Sequence, residues 1–120
     1  MKSFLSSNSL LRYAILIGLL SSVVPFATAQ SVNEDAAVTL AKAGNCFRCH
    51  SVDRAKKAPS YKRIAQKYKG KADAEAALLK HLSGAQQVKV EDGGDEQHEP
   101  PPAKDAADLL NLVRWVLSRE

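Results

Sequence analysis

Three observations predict an all-α fold of about four short helices. Four segments repeat their apolar residues at helical spacing, while almost nothing alternates with the period of two that strands require. Gly44, Gly70 and Gly84 stand where the first three segments lose their periodicity, as glycines at helix ends do. The remaining stretch, residues 85–104, is polar and rich in turn formers, with Val88 and Val90 offering a scrap of hairpin and little room for a sheet.

Residues 1–29 read as a secretory signal. Lys2 and Arg12 precede an apolar run from Ala14 to Phe26, and Ala27-Thr28-Ala29 is an A-x-A site, so cleavage is expected after Ala29 and export to the periplasm follows. The run falls short of the ~20 apolar residues of a membrane span, so the mature chain is expected to have none. What remains is one domain, 30–120, of 91 residues with 15 Lys and Arg against 13 Asp and Glu. So small an excess of positive charge gives no bulk attraction to nucleic acid. The length excludes multidomain enzymes and transporters. Phe47, Tyr61, Tyr68 and Trp115 are the aromatics left, a thin core for a chain that buries only ~60–65% of its unfolded surface. Such a chain calls for a cofactor or a covalent staple.

Ser31 or Asn33 can cap a first helix running to about Ala43, with Glu34 and Asp35 in the first turn, where the helix dipole favours negative charge. Pro59-Ser60 opens a second over 61–69, with Tyr61, Ile64, Ala65 and Tyr68 on one face. A third spans about 72–82, with Ala76, Leu78, Leu79 and Leu82 apolar. The fourth, 105–118, is the most regular: Ala106, Leu109, Leu110, Val113, Val116 and Leu117 mark it as a core-packing helix. Before it, Pro100-Pro101-Pro102 imposes a stiff extended backbone.

Both cysteines lie in Cys46-Phe47-Arg48-Cys49-His50. C-x-x-C-H is the attachment motif of c-type haem. One helical turn puts the two thiols on one side, each able to add to a vinyl group, and brings the His50 imidazole beneath the iron as axial ligand. A thioredoxin-like redox pair needs a βαβ scaffold that this chain lacks. A disulfide would close too small a loop to gain much. A zinc site would draw on Cys46, Cys49, His81 and His98, whose histidines are 17 residues apart, against the usual ~3–5.

On these residues the chain resembles the small bacterial class I c-type cytochromes. The resemblance runs from Ala36 to Leu117. It rests on the motif at 46–50, on Ala58-Pro59-Ser60-Tyr61-Lys62, on Ile64-Ala65-Gln66-Lys67-Tyr68-Lys69-Gly70, on Pro100-Pro101 and on Arg114-Trp115-Val116-Leu117-Ser118. It implies an all-α, class I cytochrome c-like fold of about four short helices around one covalently attached haem c, with the first and last helices crossing at the haem edge. It also implies a role in electron transfer. By the same resemblance the Pro59 carbonyl accepts the His50 ring N–H and tunes the metal. The family usually places Gly before that proline; Ala58 stands here.

A larger departure concerns the second axial ligand. The family usually supplies a methionine just before the Pro-Pro pair, but Glu99 occupies that place and Met1 is the only methionine. The candidates are His98, His81, a lysine, or an open position. His98, beside the stiff prolines, is favoured, giving a bis-histidine iron of lowered potential. Five acids (Glu91, Asp92, Asp95, Glu96 and Glu99) flank it and are expected to favour its protonated form.

The function expected is a single-haem electron carrier rather than an enzyme, free in the periplasm or as the cytochrome subunit of a periplasmic dehydrogenase. The alternative is a haem-based sensor or ligand-binding module with a displaceable sixth position. Between Lys42 and Lys71 ten basic residues face Asp53 alone, a surface suited to steering an acidic redox partner.

Overall fold

The computed structural model describes residues 31–120; the signal read over 1–29 lies outside them. Helix α1 covers Glu34–Ala43. The Asn33 side chain caps it by accepting the Ala36 N–H at 3.0 Å. Helix α2 covers Tyr61–Tyr68, with the Ser60 hydroxyl accepting the Arg63 N–H at 3.2 Å. Helix α3, Ala74–Leu82, starts two residues later than its spacing predicts, behind Asp73. Helix α4, Ala106–Leu117, is capped by Asp105, which accepts the Asp108 N–H at 2.9 Å.

Helix α4 is the hub against which the other three pack. Ala37 and Ala41, both fully buried, face it from α1. Side chains this small at i and i+4 let the two axes approach closely. The crossing is then pinned at its polar ends. Asn33 N–H donates to Asn111 Oδ1, and Asn111 Nδ2 donates back to the Asn33 carbonyl, both at 2.8 Å. Glu34 accepts from Trp115 Nε1 at 3.3 Å and pairs with Arg119 at 2.9 Å. Arg114 reaches across to Glu75 on α3, at 2.8 Å. Tyr61, Leu78, Leu112, Val113, Trp115 and Val116 complete the core.

Strands β1, Gln86–Lys89, and β2, Asp95–His98, pair antiparallel with Gln86 opposite His98 and Val88 opposite Glu96. Val88 marked the first strand, and Val90 is buried just past its end. Asp-Glu-Gln-His carries no apolar alternation, so the second was illegible in the sequence, and the scrap of hairpin expected at Val88 and Val90 is a paired hairpin within the polar loop 85–104. The turn forms because Gly93 takes φ +86°, a left-handed conformation costly for other residues, and because the Asp92 side chain accepts the Gly94 N–H.

The stiff proline run packs on the end of α1. A Cβ at Gly44 would lie 3.0 Å from Pro101 Cβ and 3.2 Å from its Cα. Neither the ring nor the backbone of that stiff segment can move aside cheaply. Gly44→Ala is therefore expected to lower stability by about 1–3 kcal/mol, read as a shift in the denaturant midpoint with an unchanged slope.

Candidate functional site

Cys46–Arg48 form a single 3₁₀ turn, entered through Asn45 at φ +55°. In a 3₁₀ turn residues i and i+3 eclipse, so Cys46 and Cys49 project from one side. The Cys46 carbonyl accepts the N–H groups of Cys49 at 3.2 Å and His50 at 2.9 Å, which carries the turn on into the histidine. The two thiols are half-buried and not joined to one another. Burial pushes the Cys46 thiol up, so it remains protonated at neutral pH.

His50 Nδ1 lies 2.6 Å from the Pro59 carbonyl. A carbonyl only accepts, so the ring proton is on Nδ1 and Nε2 keeps its lone pair. Burial lowers the pKa of His50, more than the Pro59 contact raises it, and favours the neutral ring a metal needs. Tyr61 stacks on this imidazole, ring centroids 5.3 Å apart and nearly parallel, and is itself wedged edge-on against Phe47 and Trp115.

A cleft opens beside the turn. Its walls are apolar, with Ile64, Leu78, Leu82, Leu112, Val113 and Val116, and its polar contributors are the Cys46 thiol, Tyr61 and all three histidines, His50, His81 and His98. A thiol pair on one side of a turn, a neutral imidazole with its Nε2 free and an apolar cleft form the donor set and lining that a covalent haem c requires, and these residues fit it. Among the described residues no lysine lines the cleft. Among the described residues no group of three or more His, Cys, Asp and Glu is placed to hold a metal ion by itself, so the zinc set is not assembled even though the fold brings His81 and His98 together.

The two remaining histidines differ in what their nitrogens do. Their rings lie 4.8 Å apart. Gln86 Nε2 donates to His81 Nδ1 at 3.0 Å and to the His81 carbonyl at 2.6 Å. With Nδ1 accepting, the His81 proton sits on Nε2 and no lone pair is left to offer. His98 Nδ1 is buried and has no hydrogen-bond partner in the structure. A buried ring nitrogen left unpaired is costly unless something else satisfies it.

The flanking acids do not act on His98 as the sequence suggests. Burial is the first cause of its shift and His81 and His50 follow; all three lower its pKa, favouring the neutral ring. Three of the five acids are paired elsewhere: Glu96 with Arg48 and Lys57, Glu91 with Arg63, and Asp95 with Lys89. The same pairs neutralise part of the basic stretch 42–71, while Lys67 and Lys71 stay exposed, flanking the Tyr68 ring at 5.6 and 5.4 Å. Glu96, Gln86 and Tyr61 were not singled out as site residues by the sequence reading. In the sequence Tyr61 stands out as a core aromatic, on a helical stripe and within the segment that carries the resemblance, and nothing short of the strand register signals the place of the other two at the site.

Comparison with known proteins places this arrangement. The family model described as Cytochrome c matches residues 35–120. Cytochrome c2 of Rhodocyclus tenuis is 36% identical over 80 residues, covering 66% of this chain and 87% of that protein. Cytochrome c-551 of Allochromatium vinosum is 37% identical over 81 residues, covering 67% and 82%. Among solved structures, the class 1 cytochrome MtoD from Sideroxydans lithotrophicus ES-1 superposes with a TM-score of 0.69 at 47% identity, covering 73% of this chain and 97% of that one.

Proposed function

The chain belongs to the cytochrome c family, as a small bacterial class I c-type cytochrome carrying one covalent haem c, and from that premise we propose that it is a periplasmic electron carrier whose iron is held by His50 and His98. Haem c, when bound, supplies a one-electron couple between Fe(II) and Fe(III). Cys46 and Cys49 anchor it from one side of the 3₁₀ turn. Pro59 fixes the tautomer and direction of His50, leaving Nε2 as the atom that would hold the iron. The apolar side chains of Leu78, Val113 and Val116 line the cleft in which the haem would sit.

The observation that carries the second ligand is the buried, unpartnered nitrogen of His98 in the cleft that also holds His50. His81 is the weaker candidate because its ring is committed to Gln86. Two imidazoles donate more strongly than an imidazole and a thioether, so this carrier works at lower potential than a methionine-ligated relative. His98→Ala is expected to keep the haem attached and convert the low-spin visible and EPR spectra to high-spin. Unchanged low-spin spectra would overturn the assignment.

The leader at 1–29, cut after Ala29, accounts for the location, and among the described residues no helix is long and apolar enough to cross a membrane. The partners are redox proteins with acidic docking surfaces, met by Lys67, Lys71 and their neighbours on α2, either in free encounter or within a periplasmic dehydrogenase of which this chain is the cytochrome subunit.

A further inference from the structure

Strand β2 brings Glu96 and His98 to the same face, two residues apart, both partly buried while Asp95 and Gln97 point outward. The Glu96 side chain, 24% exposed, spends one oxygen on each of two cations. Oε2 accepts from Arg48 Nη2 and Oε1 from Lys57 Nζ, both at 2.6 Å. Arg48 lies inside the C-x-x-C-H motif, next to Cys49, and Lys57 lies two residues before Pro59, whose carbonyl orients His50. One carboxylate thus joins the hairpin to both chain segments that set the position of His50.

We infer that Glu96 is the positioning residue for the sixth iron ligand: it fastens the strand carrying His98 to the haem-attachment segment. The inference rests on ligation by His98. Two-stranded hairpins are marginally stable alone, and β2, Asp-Glu-Gln-His, has no apolar side chain with which to dock. Its register with β1 fixes His98 relative to Gln86, but the hairpin as a body needs an outside tie. Besides Glu96, the Gln86 side chain donates to the His81 carbonyl on α3 at 2.6 Å, and Val90 is buried just past β1. Glu91 donates its N–H to the Lys57 carbonyl at 2.9 Å and pairs loosely with Arg63 at 3.8 Å. Of these ties only the ion pairs of Glu96 and Glu91 are charged, and salt weakens those pairs at the surface while it leaves the neutral hydrogen bonds in place. The hairpin therefore releases His98 more readily as ionic strength rises, and the sixth position becomes open to an outside ligand at the rate of that release.

The test is carbon monoxide binding to the ferrous holoprotein of wild type, Glu96→Gln and His98→Ala, followed by stopped flow at low and high sodium chloride. Wild type is expected to bind slowly, and faster in high salt. Glu96→Gln should remain low-spin at rest yet bind about fivefold faster at low salt, with little further gain from salt. His98→Ala should bind fast at any salt. If His98→Ala binds no faster than wild type, the ligation itself is refuted. If His98→Ala is fast while Glu96→Gln matches wild type in rate and salt dependence, ligation stands and the positioning role is overturned. A loss of thermal stability alone, with the binding rate unmoved, also overturns it.

Discussion

Cys46→Ala combined with Cys49→Ala is expected to abolish covalent haem entirely. The wild-type polypeptide should keep its haem stain through denaturing electrophoresis; the double variant should lose all of it to acid-acetone extraction. His50 and Pro59 would still form their pair, so a weakly held, extractable haem is the most that variant can retain. The folded state suffers with it. Leu78, Leu112 and Val116 line the cleft as well as the core, and an unfilled apolar cleft forfeits the contacts that would repay the chain entropy of so short a domain. Far-ultraviolet circular dichroism should show reduced helix content. Haem stain surviving denaturation in the double variant would remove these thiols from the attachment site.

Trp115→Ala carries the largest expected loss of stability at a position outside the cleft. The ring is 2% exposed and meets Tyr61 edge-on at 5.1 Å and Phe47 at 6.4 Å, with the Arg119 guanidinium 4.9 Å from its centre. Its Nε1 also donates to Glu34 across the α1–α4 crossing. Truncation removes a buried aromatic where the neighbouring rings cannot collapse together, a loss of about 3–5 kcal/mol. That is a large share of the ~5–15 kcal/mol typical of a whole domain. Guanidinium unfolding followed by the Soret band measures it. Trp115→Phe should lose markedly less, because most of the ring packing survives and only the Glu34 contact disappears. Equal losses in the two variants would show that the hydrogen bond, not the packing, dominates.

The four helices were legible because each carries its own apolar stripe, three of them a capping side chain at the start and the first three a glycine near the end, while α3, which lacks a side-chain cap, starts two residues later than its stripe suggests. Asn33, Ser60 and Asp105 cap as their side chains allow, and the α4 stripe of Val113 and Val116 faces the core that its period marks out. The haem-binding motif was legible for a different reason: its chemistry is packed into five consecutive residues, so no folding is needed to see it. The hairpin was half legible. Val88 alternates and the Asp92-Gly93-Gly94 turn is visible, but β2 is polar throughout and its pairing comes from backbone hydrogen bonds that leave no apolar signature. Charge misled where it was counted along the chain. Five acids near His98 suggested a proton-favouring site, yet in space three of them, Glu91, Asp95 and Glu96, turn to Arg48, Lys57, Arg63 and Lys89, Asp92 caps the hairpin turn, and burial governs the imidazole.

By itself the sequence determined the helical class, the two thiols and His50 as the haem-binding set, and the absence of any methionine in 30–120, because these are matters of local periodicity and of which atoms exist. Only the tertiary structure decided that His81 is committed to Gln86 while His98 keeps an unpaired nitrogen in the cleft of His50, and that Glu96 joins Arg48 across 48 residues of chain. Partners that far apart meet only after the helices have packed on α4, and a side chain's hydrogen bonds are set by what packing brings to it rather than by its neighbours in the chain.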